Sequence, residues 1–281
     1  MSKSPRLITF FSNEEAVSRI KETAVSQNLT LINVADETAV GPIRLVSQQE
    51  TLGETLSGQT GKLFELITTE QPVLLIFDLD NTAVPWQRWI PALKSSPATH
   101  RFPILGVSHI DESLNEAQRV GANYSANKDE FEQTKATLIK NYARIPNYDS
   151  LKSTCDDPLS ELALEGITLF NQGEFYNCHD ALEEAWNLDD SPGRNLYRGI
   201  LQVGIAYFQI ERGNYRGAIK MLMRVRQWLD PLPEWCRGVN VAQLRENAQE
   251  VQSQLSALGP SNISAFDKSI FKPIQYKITP N

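Results

Sequence analysis

Apolar positions follow two rhythms along this chain, and the change between them falls near residue 145. In the first part, short apolar runs alternate with stretches of helical period. RLITFF (6–11), LTLINVA (29–35), VLLIF (73–77), FPILGV (102–107) and ANYS (122–125) predict strands, because brief apolar or β-branched runs between turn signals suit a sheet buried on both faces. Between and after them, residues 13–27, 62–69, 86–93, 111–120 and 130–142 repeat apolar side chains every three or four positions, the period of a helix with one buried face. Five strand–helix units predict a flavodoxin-like α/β domain with a five-stranded parallel sheet. Residues 38–60 are polar and Gly-containing without a clear period, and read as an irregular loop or a mobile connection.

After residue 158 only the helical period remains. Residues 159–170, 174–189, 194–212, 215–229 and 241–258 predict about five helices on short connections, an all-α bundle. PNYDSLKSTCDDP (146–158) is polar, bounded by prolines and read as a linker. The expected organisation is therefore an α/β domain over 1–145, a linker over 146–158, a helical domain over 159–258 and a tail over 259–281. The tail has scattered Phe266, Phe271, Ile274 and Tyr276, and its order is left open. Gly173-Glu174-Phe175 and Gly213-Asn214-Tyr215 each end one helix and begin another, forty positions apart, a faint echo of helical-hairpin adaptors.

Composition narrows the function more than the fold. Hydrophobic content of 41% and charged content of 22% are those of a globular protein. The net charge of −7 is spread evenly, with 14 basic and 18 acidic side chains in residues 1–150 and 13 and 16 in the rest, so neither half has the basic excess of a nucleic-acid binder. No apolar run is long enough for a membrane span, and the first residues do not read as a leader. Cys155, Cys178 and Cys236 are widely spaced without a CxxC, which argues against zinc or a disulfide framework and for a reducing, cytoplasmic location.

The helix starting at Glu174 puts Phe175, Cys178, His179, Leu182, Glu183 and Trp186 on one face, so His179 and Glu183 are expected to be buried as a pair. The next helix carries Arg198, Gln202 and Gln209 as a polar line, and the two lines are expected to meet. The blocks FNQGEFYNCHDALEEAW and RNLYRGILQVGIAYFQIERGNYRGA resemble domain of unknown function family 309, an all-helical family, over roughly residues 158–257. The resemblance picks out His179, Glu183, Trp186, Arg194, Tyr197, Gly199 and Gln202, with Asn171, Gly173, Gly213 and Asn214 as further motif positions. Gln209 stands where the family commonly has a His, which removes a potential metal ligand or base. The family has no settled activity.

The first half resembles a response-regulator receiver domain, as its strand order and Asp78 at the end of the third strand suggest. The resemblance makes Asp78 the phospho-acceptor position. Transfer there needs an acidic pair after the first strand to hold Mg²⁺, and those positions hold Ser12 and Asn13. Ser108 matches the hydroxyl residue ending the fourth strand, and Lys128 only loosely matches the lysine after the fifth. The expectation is a pseudo-receiver. Asp78, Asp80 and Thr82 also spell the DxDxT motif of haloacid dehalogenase-type phosphatases, but two strands precede it and too little chain follows for that fold's further motifs.

The reading is a non-catalytic regulatory or adaptor protein that binds another protein, with no cofactor and no metal, Mg²⁺ entering only if Asp78 is phosphorylated. A homodimer is left open. The alternatives are an enzyme, hydrolytic by guess, with a site at His179, Glu183, Arg198 and Gln202, and a phosphorylatable receiver using Asp78. His100 and His109 are expected in loops or at the surface. Trp186, Trp228 and Trp235 are expected as packing groups.

Overall fold

The structure is a computed structural model that describes residues 4–35 and 59–277. The loop expected over 38–60 lies outside the described residues, apart from its last two positions, which open a helix. The chain divides into two units, Met1–Ile145 and Pro146–Asn281.

The first unit runs β1 (Arg6–Phe10), α1 (Glu14–Ser26), β2 (Thr30–Asn33), α2 (Gln59–Glu70), β3 (Leu74–Asp78), α3 (Trp86–Ser95), β4 (Ile104–Ser108), α4 (Asp111–Arg119), β5 (Tyr124–Asn127) and α5 (Lys128–Tyr142). The strands form one parallel sheet in the order β2-β1-β3-β4-β5. This is the flavodoxin-like order, and it reverses between β1 and β3. Every residue of β3 and β4 is buried, as central strands covered on both faces require.

On one face Leu7, Leu74, Ile76, Leu105 and Val107 pack with Ile20 of α1 and Phe131 and Ile139 of α5. On the other, Phe10 stacks on Phe77 with ring centroids 4.1 Å apart and meets the edge of Trp89 from α3. Period-two alternation in the strands thus sends successive side chains to opposite helix layers. The pairing Asp78↔Val107 brings the carboxyl ends of β3 and β4 side by side.

The second unit contains α6 (Tyr148–Thr154), α7 (Glu161–Asn171), α8 (Cys178–Leu188), α9 (Asn195–Glu211), α10 (Tyr215–Leu229) and α11 (Val241–Leu258). Two of the expected features differ. The stretch read as a linker folds into α6, and its Leu151 and Cys155 are buried in the helical core. The helical domain also contains a small antiparallel hairpin, β6 (Trp235–Cys236) and β7 (Val239–Asn240), which a helix-period reading does not register because each strand is only two residues long.

The tail is folded onto this unit. Phe266, Ile270 and Ile274 are buried in its core, Phe271 stacks on Tyr207 at 4.1 Å, and Tyr276 bridges to Val239. Asn171 at the end of α7 clamps it, donating to the Ile274 carbonyl (3.1 Å) and accepting from the Ile274 amide (2.7 Å).

Motif glycines serve two local needs. Gly173 and Gly213 follow α7 and α9 with φ of +84° and +70°, left-handed values that end a helix at little cost only without a Cβ. Gly199 lies where α9 crosses α10, and a Cβ there would come within 2.2 Å of the buried Leu229 side chain. The helices approach this closely because the residue is glycine.

Candidate functional site

In a sheet of this order ligands are expected outside the carboxyl ends of the strands, beside the reversal between β1 and β3. Asp78 ends β3 there and is almost fully buried. Lys128, the first residue of α5, reaches across β4 with its Nζ 2.6 Å from Asp78 Oδ1 and 3.1 Å from Asp80 Oδ2. The match that looked loose in sequence is close in space.

Asp80 binds the remaining donors. The Ser108 hydroxyl donates to its Oδ1, and the His109 amide donates to Oδ2 at 3.2 Å. Burial works to raise the pKa of Asp80, yet the Ser108 hydroxyl, the His109 amide and Lys128 together hold it below the usual carboxylate range. Burial likewise works against the charge of Lys128, and the two carboxylates more than offset it, so its pKa is raised. Asp78, Asp80, Ser108 and Lys128 thus form one connected set with a single excess negative charge, whereas Thr82 of the DxDxT motif is exposed.

The set suits Mg²⁺ poorly. Ser12 and Asn13 follow β1 where carboxylates would be needed, and the Asn13 side-chain oxygen is engaged by the Ala16 amide at 3.0 Å as the cap of α1. The ammonium of Lys128 sits against both carboxylates and offsets one of their two charges. Among the described residues no three or more His, Cys, Asp or Glu side chains are grouped to hold a metal ion. A hard cation that wants about six oxygen ligands finds two carboxylates with a cation between them.

The helical motif is assembled differently from its reading in sequence. α8 begins at Cys178 rather than Glu174, and its buried stripe is Cys178, Ala181, Leu182 and Ala185. His179 and Glu183 each follow a stripe residue by one position, about 100° around the helix. Their side chains are accordingly 33% and 51% exposed, 3.9 Å apart, and His179 Nδ1 instead lies 3.0 Å from exposed Asp180. The expected buried pair is therefore a surface pair. His179→Ala should change the stability of the protein by no more than about 0.5 kcal/mol, the range of surface substitutions, in chemical denaturation. A loss of 2 kcal/mol or more, roughly the cost of orphaning a buried partner, would contradict this placement.

The two polar lines do not meet through hydrogen bonds between His179 or Glu183 and Arg198 or Gln202. Arg198 lies over the rings of Trp186 (4.2 Å) and Trp228 (5.1 Å), with Arg194 also over Trp186 at 4.9 Å. Gln202 is buried with its Oε1 unpartnered, and Gln209 accepts from Asn214 at 2.7 Å next to the cap of α10. Trp186 and Trp228 are thus half-buried stacking groups. Trp235 is exposed, with Lys277 over its ring.

Sequence reasoning missed a buried arginine that ties several segments of this unit together. Arg237, buried in the β6–β7 turn, donates to the Tyr197 hydroxyl, to Ser191 Oγ (2.8 Å) and to the Thr154 carbonyl (3.3 Å), and pairs with Asp189 at 2.6 Å. The hydroxyl of Tyr197, one of the motif positions, meets this guanidinium. The signal available was Arg237-Gly238 as a two-residue turn, and both residues have positive φ, as such hairpins require.

Beside it Cys155 and Cys236 form a disulfide across 81 positions. This corrects the expectation of three unpaired cysteines: the partners are adjacent only because α6 and the hairpin pack together. Cys178 remains a buried thiol, its pKa pushed up to about 12 by burial.

By its sheet order the first unit is a receiver-like, flavodoxin-like domain, and it precedes a helical unit. Residues 163–221 match the family described as Domain of unknown function (DUF309). An uncharacterized protein of Aquifex aeolicus (strain VF5) is 29% identical over 93 residues, which cover 33% of this chain and 28% of that protein. The match thus spans little more than a quarter of that relative. Among solved structures, the phosphorylated response regulator of a cyanobacterial phytochrome shares 15% identity, covering 52% of this chain and all of that one, with a TM-score of 0.37. A response regulator from Hahella chejuensis shares 13%, covering 50% of this chain and 95% of that one, with a TM-score of 0.38. Among the described residues no helix is long and apolar enough to cross a membrane.

Proposed function

We propose that this is a non-catalytic regulatory or adaptor protein, in which a receiver-like unit that no longer accepts a phosphoryl group accompanies a helical unit that binds another protein. The observation that carries the reading is chemical. Ser12 and Asn13 stand where phosphotransfer needs carboxylates, and Asn13 is already committed to capping α1. Without a cation, the charge on a phosphoryl group entering beside buried Asp78 and Asp80 would have Lys128 alone to offset it.

The α7–α8 and α9–α10 hairpins, each with a left-handed glycine between or before its helices, support an adaptor role for the second unit. A cytoplasmic location belongs to this proposal.

The test is incubation of the full chain with Mg²⁺ and a small phosphodonor, followed by intact mass and acid-labile adduct mapping. No adduct is expected under conditions that label a functional receiver. Mg²⁺-dependent labelling that Asp78→Asn abolishes would overturn the reading and make this a working phosphoreceiver.

A further inference from the structure

Trp186, Arg198 and Trp228 make a stack that the described residues leave incomplete. The Arg198 guanidinium of α9 lies between aromatic faces supplied by α8 and α10. Stacking occupies the faces of a guanidinium and leaves its N–H edge for hydrogen bonds. Yet Arg198 makes no hydrogen bond or ion pair among the described residues.

Arg224 of α10 lies within electrostatic reach of Arg198. Burial and then the charge of Arg198 push its pKa down, and no carboxylate acts in the opposite sense. The buried Nε of Arg224 and the indole Nε1 atoms of Trp186 and Trp228 all lack an acceptor, while Gln202 Oε1, one turn along α9 from Arg198, lacks a donor. Buried donors are almost always paired, and arginine cannot shed its charge to escape burial. Three orphaned donors beside two guanidinium groups, with no carboxylate paired to either among the described residues, point to an anionic acceptor from outside the chain.

We propose that this cluster binds a phosphoryl group, presented by a small phosphate ester or as free phosphate. Two guanidinium groups match a dianion, and donors carried by three different helices suit oxygens that point in tetrahedral directions better than the two coplanar oxygens of a carboxylate. Gln202 Oε1 is then available to accept from a hydroxyl on the phosphate or its ester. The inference lies in the helical unit and is independent of whether Asp78 is phosphorylated. It goes beyond the adaptor reading by naming a ligand class.

The experiment is titration of the full chain with inorganic phosphate, phosphoserine and malonate at matched ionic strength. Tryptophan fluorescence and calorimetry provide the readouts. Saturable binding of phosphate or phosphoserine is expected, strengthening as pH rises through about 6, where a phosphate ester gains its second charge. Tighter phosphoserine binding would show that the ligand body contributes, and equal binding that the site takes the bare anion. Arg198→Gln and Arg224→Gln should each weaken binding by about tenfold or more, as loss of a charge-assisted donor does. Arg198→Gln also gives up two cation–π contacts, so the melting temperature of each variant is measured beside its binding and only folded variants are scored. Should either variant unfold, Trp228→Phe keeps the ring, drops the N–H and should still weaken binding several-fold. Absence of saturable phosphate binding, malonate bound as tightly as phosphate, or unchanged affinity in the folded variants would overturn the proposal.

Discussion

Arg237→Met should destabilise the protein by about 3–5 kcal/mol, the usual cost of breaking a buried ion pair by deleting one partner. The side chain of Arg237 is only 6% exposed, and its removal strands the carboxylate of Asp189, itself 18% exposed, together with the hydroxyl of Tyr197. Methionine keeps much of the stem's volume. It also tolerates the left-handed backbone no worse than arginine does, so the change isolates the guanidinium.

The deficit should depend on pH in a determined direction. Burial works to raise the pKa of Asp189, but the Ser191 amide and hydroxyl and the charge of Arg237 hold it below its ordinary 3.8. A carboxylate with a depressed folded pKa contributes stability that is present above its unfolded pKa and lost as pH falls through the folded value. The gap between variant and wild type should therefore be widest near neutrality and narrow below about pH 4, as Asp189 takes up a proton and no longer needs a cation. Urea denaturation at several pH values measures it. A gap that is pH-independent, or smaller than 1 kcal/mol, would mean that the guanidinium mainly fills space.

Opening the Cys155–Cys236 bridge is the second large effect. The loop it closes spans 81 positions, and the chain-entropy estimate for a loop of that size is roughly 4.5 kcal/mol. Reduction, or Cys155→Ala with Cys236→Ala, should lower stability by about 2–5 kcal/mol. The change should be felt at Arg237 too, because its amide donates to the Cys155 carbonyl at 2.6 Å. Thiol titration gives an independent check. The native oxidised protein should show no reactive thiol, because Cys178 is buried and its thiolate strongly disfavoured. The unfolded oxidised protein should show one, and the reduced unfolded protein three. Three thiols before reduction would contradict the pairing.

Arg237 and the disulfide were hidden in the sequence for one reason. Arg237 takes its partners from α9, from the turn before it and from the end of α6, and Cys155 meets Cys236 only once α6 docks against the hairpin. No periodicity within a window reports such contacts. His179 and Glu183 show the opposite error, in which a true local relation was assigned to the wrong face. They do lie one helical turn apart, but placing the helix start at Glu174 rather than Cys178 admitted Phe175 to the stripe. The buried side is centred instead on Cys178, Leu182 and Ala185, so residues about 100° away seemed interior.

The receiver-like site was more legible, because each of its residues ends or follows a strand. Asp78, Ser108 and Lys128 could be placed at one sheet edge from strand boundaries alone, since parallel strands all finish on the same side. What strand boundaries could not supply was the second carboxylate. Asp80 read only as part of a phosphatase-like motif, and in space it takes the Ser108 hydroxyl, the His109 amide and a share of Lys128.

By itself the sequence determined the two-part architecture, the alternating α/β order, the helical succession after it, the glycines that end α7 and α9, and the missing acidic pair. All of these are written in local period, turn chemistry or residue identity. Only the tertiary structure decided that Leu151 and Cys155 of the stretch 146–158 join the helical core, that the tail is clamped by Asn171, and that Arg237 and the disulfide fasten the hairpin. It alone also decided that Arg198 lies between two tryptophans with Arg224 close by. Each of these depends on side chains far apart in sequence meeting at a shared surface, and the free energy of such a meeting comes from burial and desolvation, which exist only once the helices have packed.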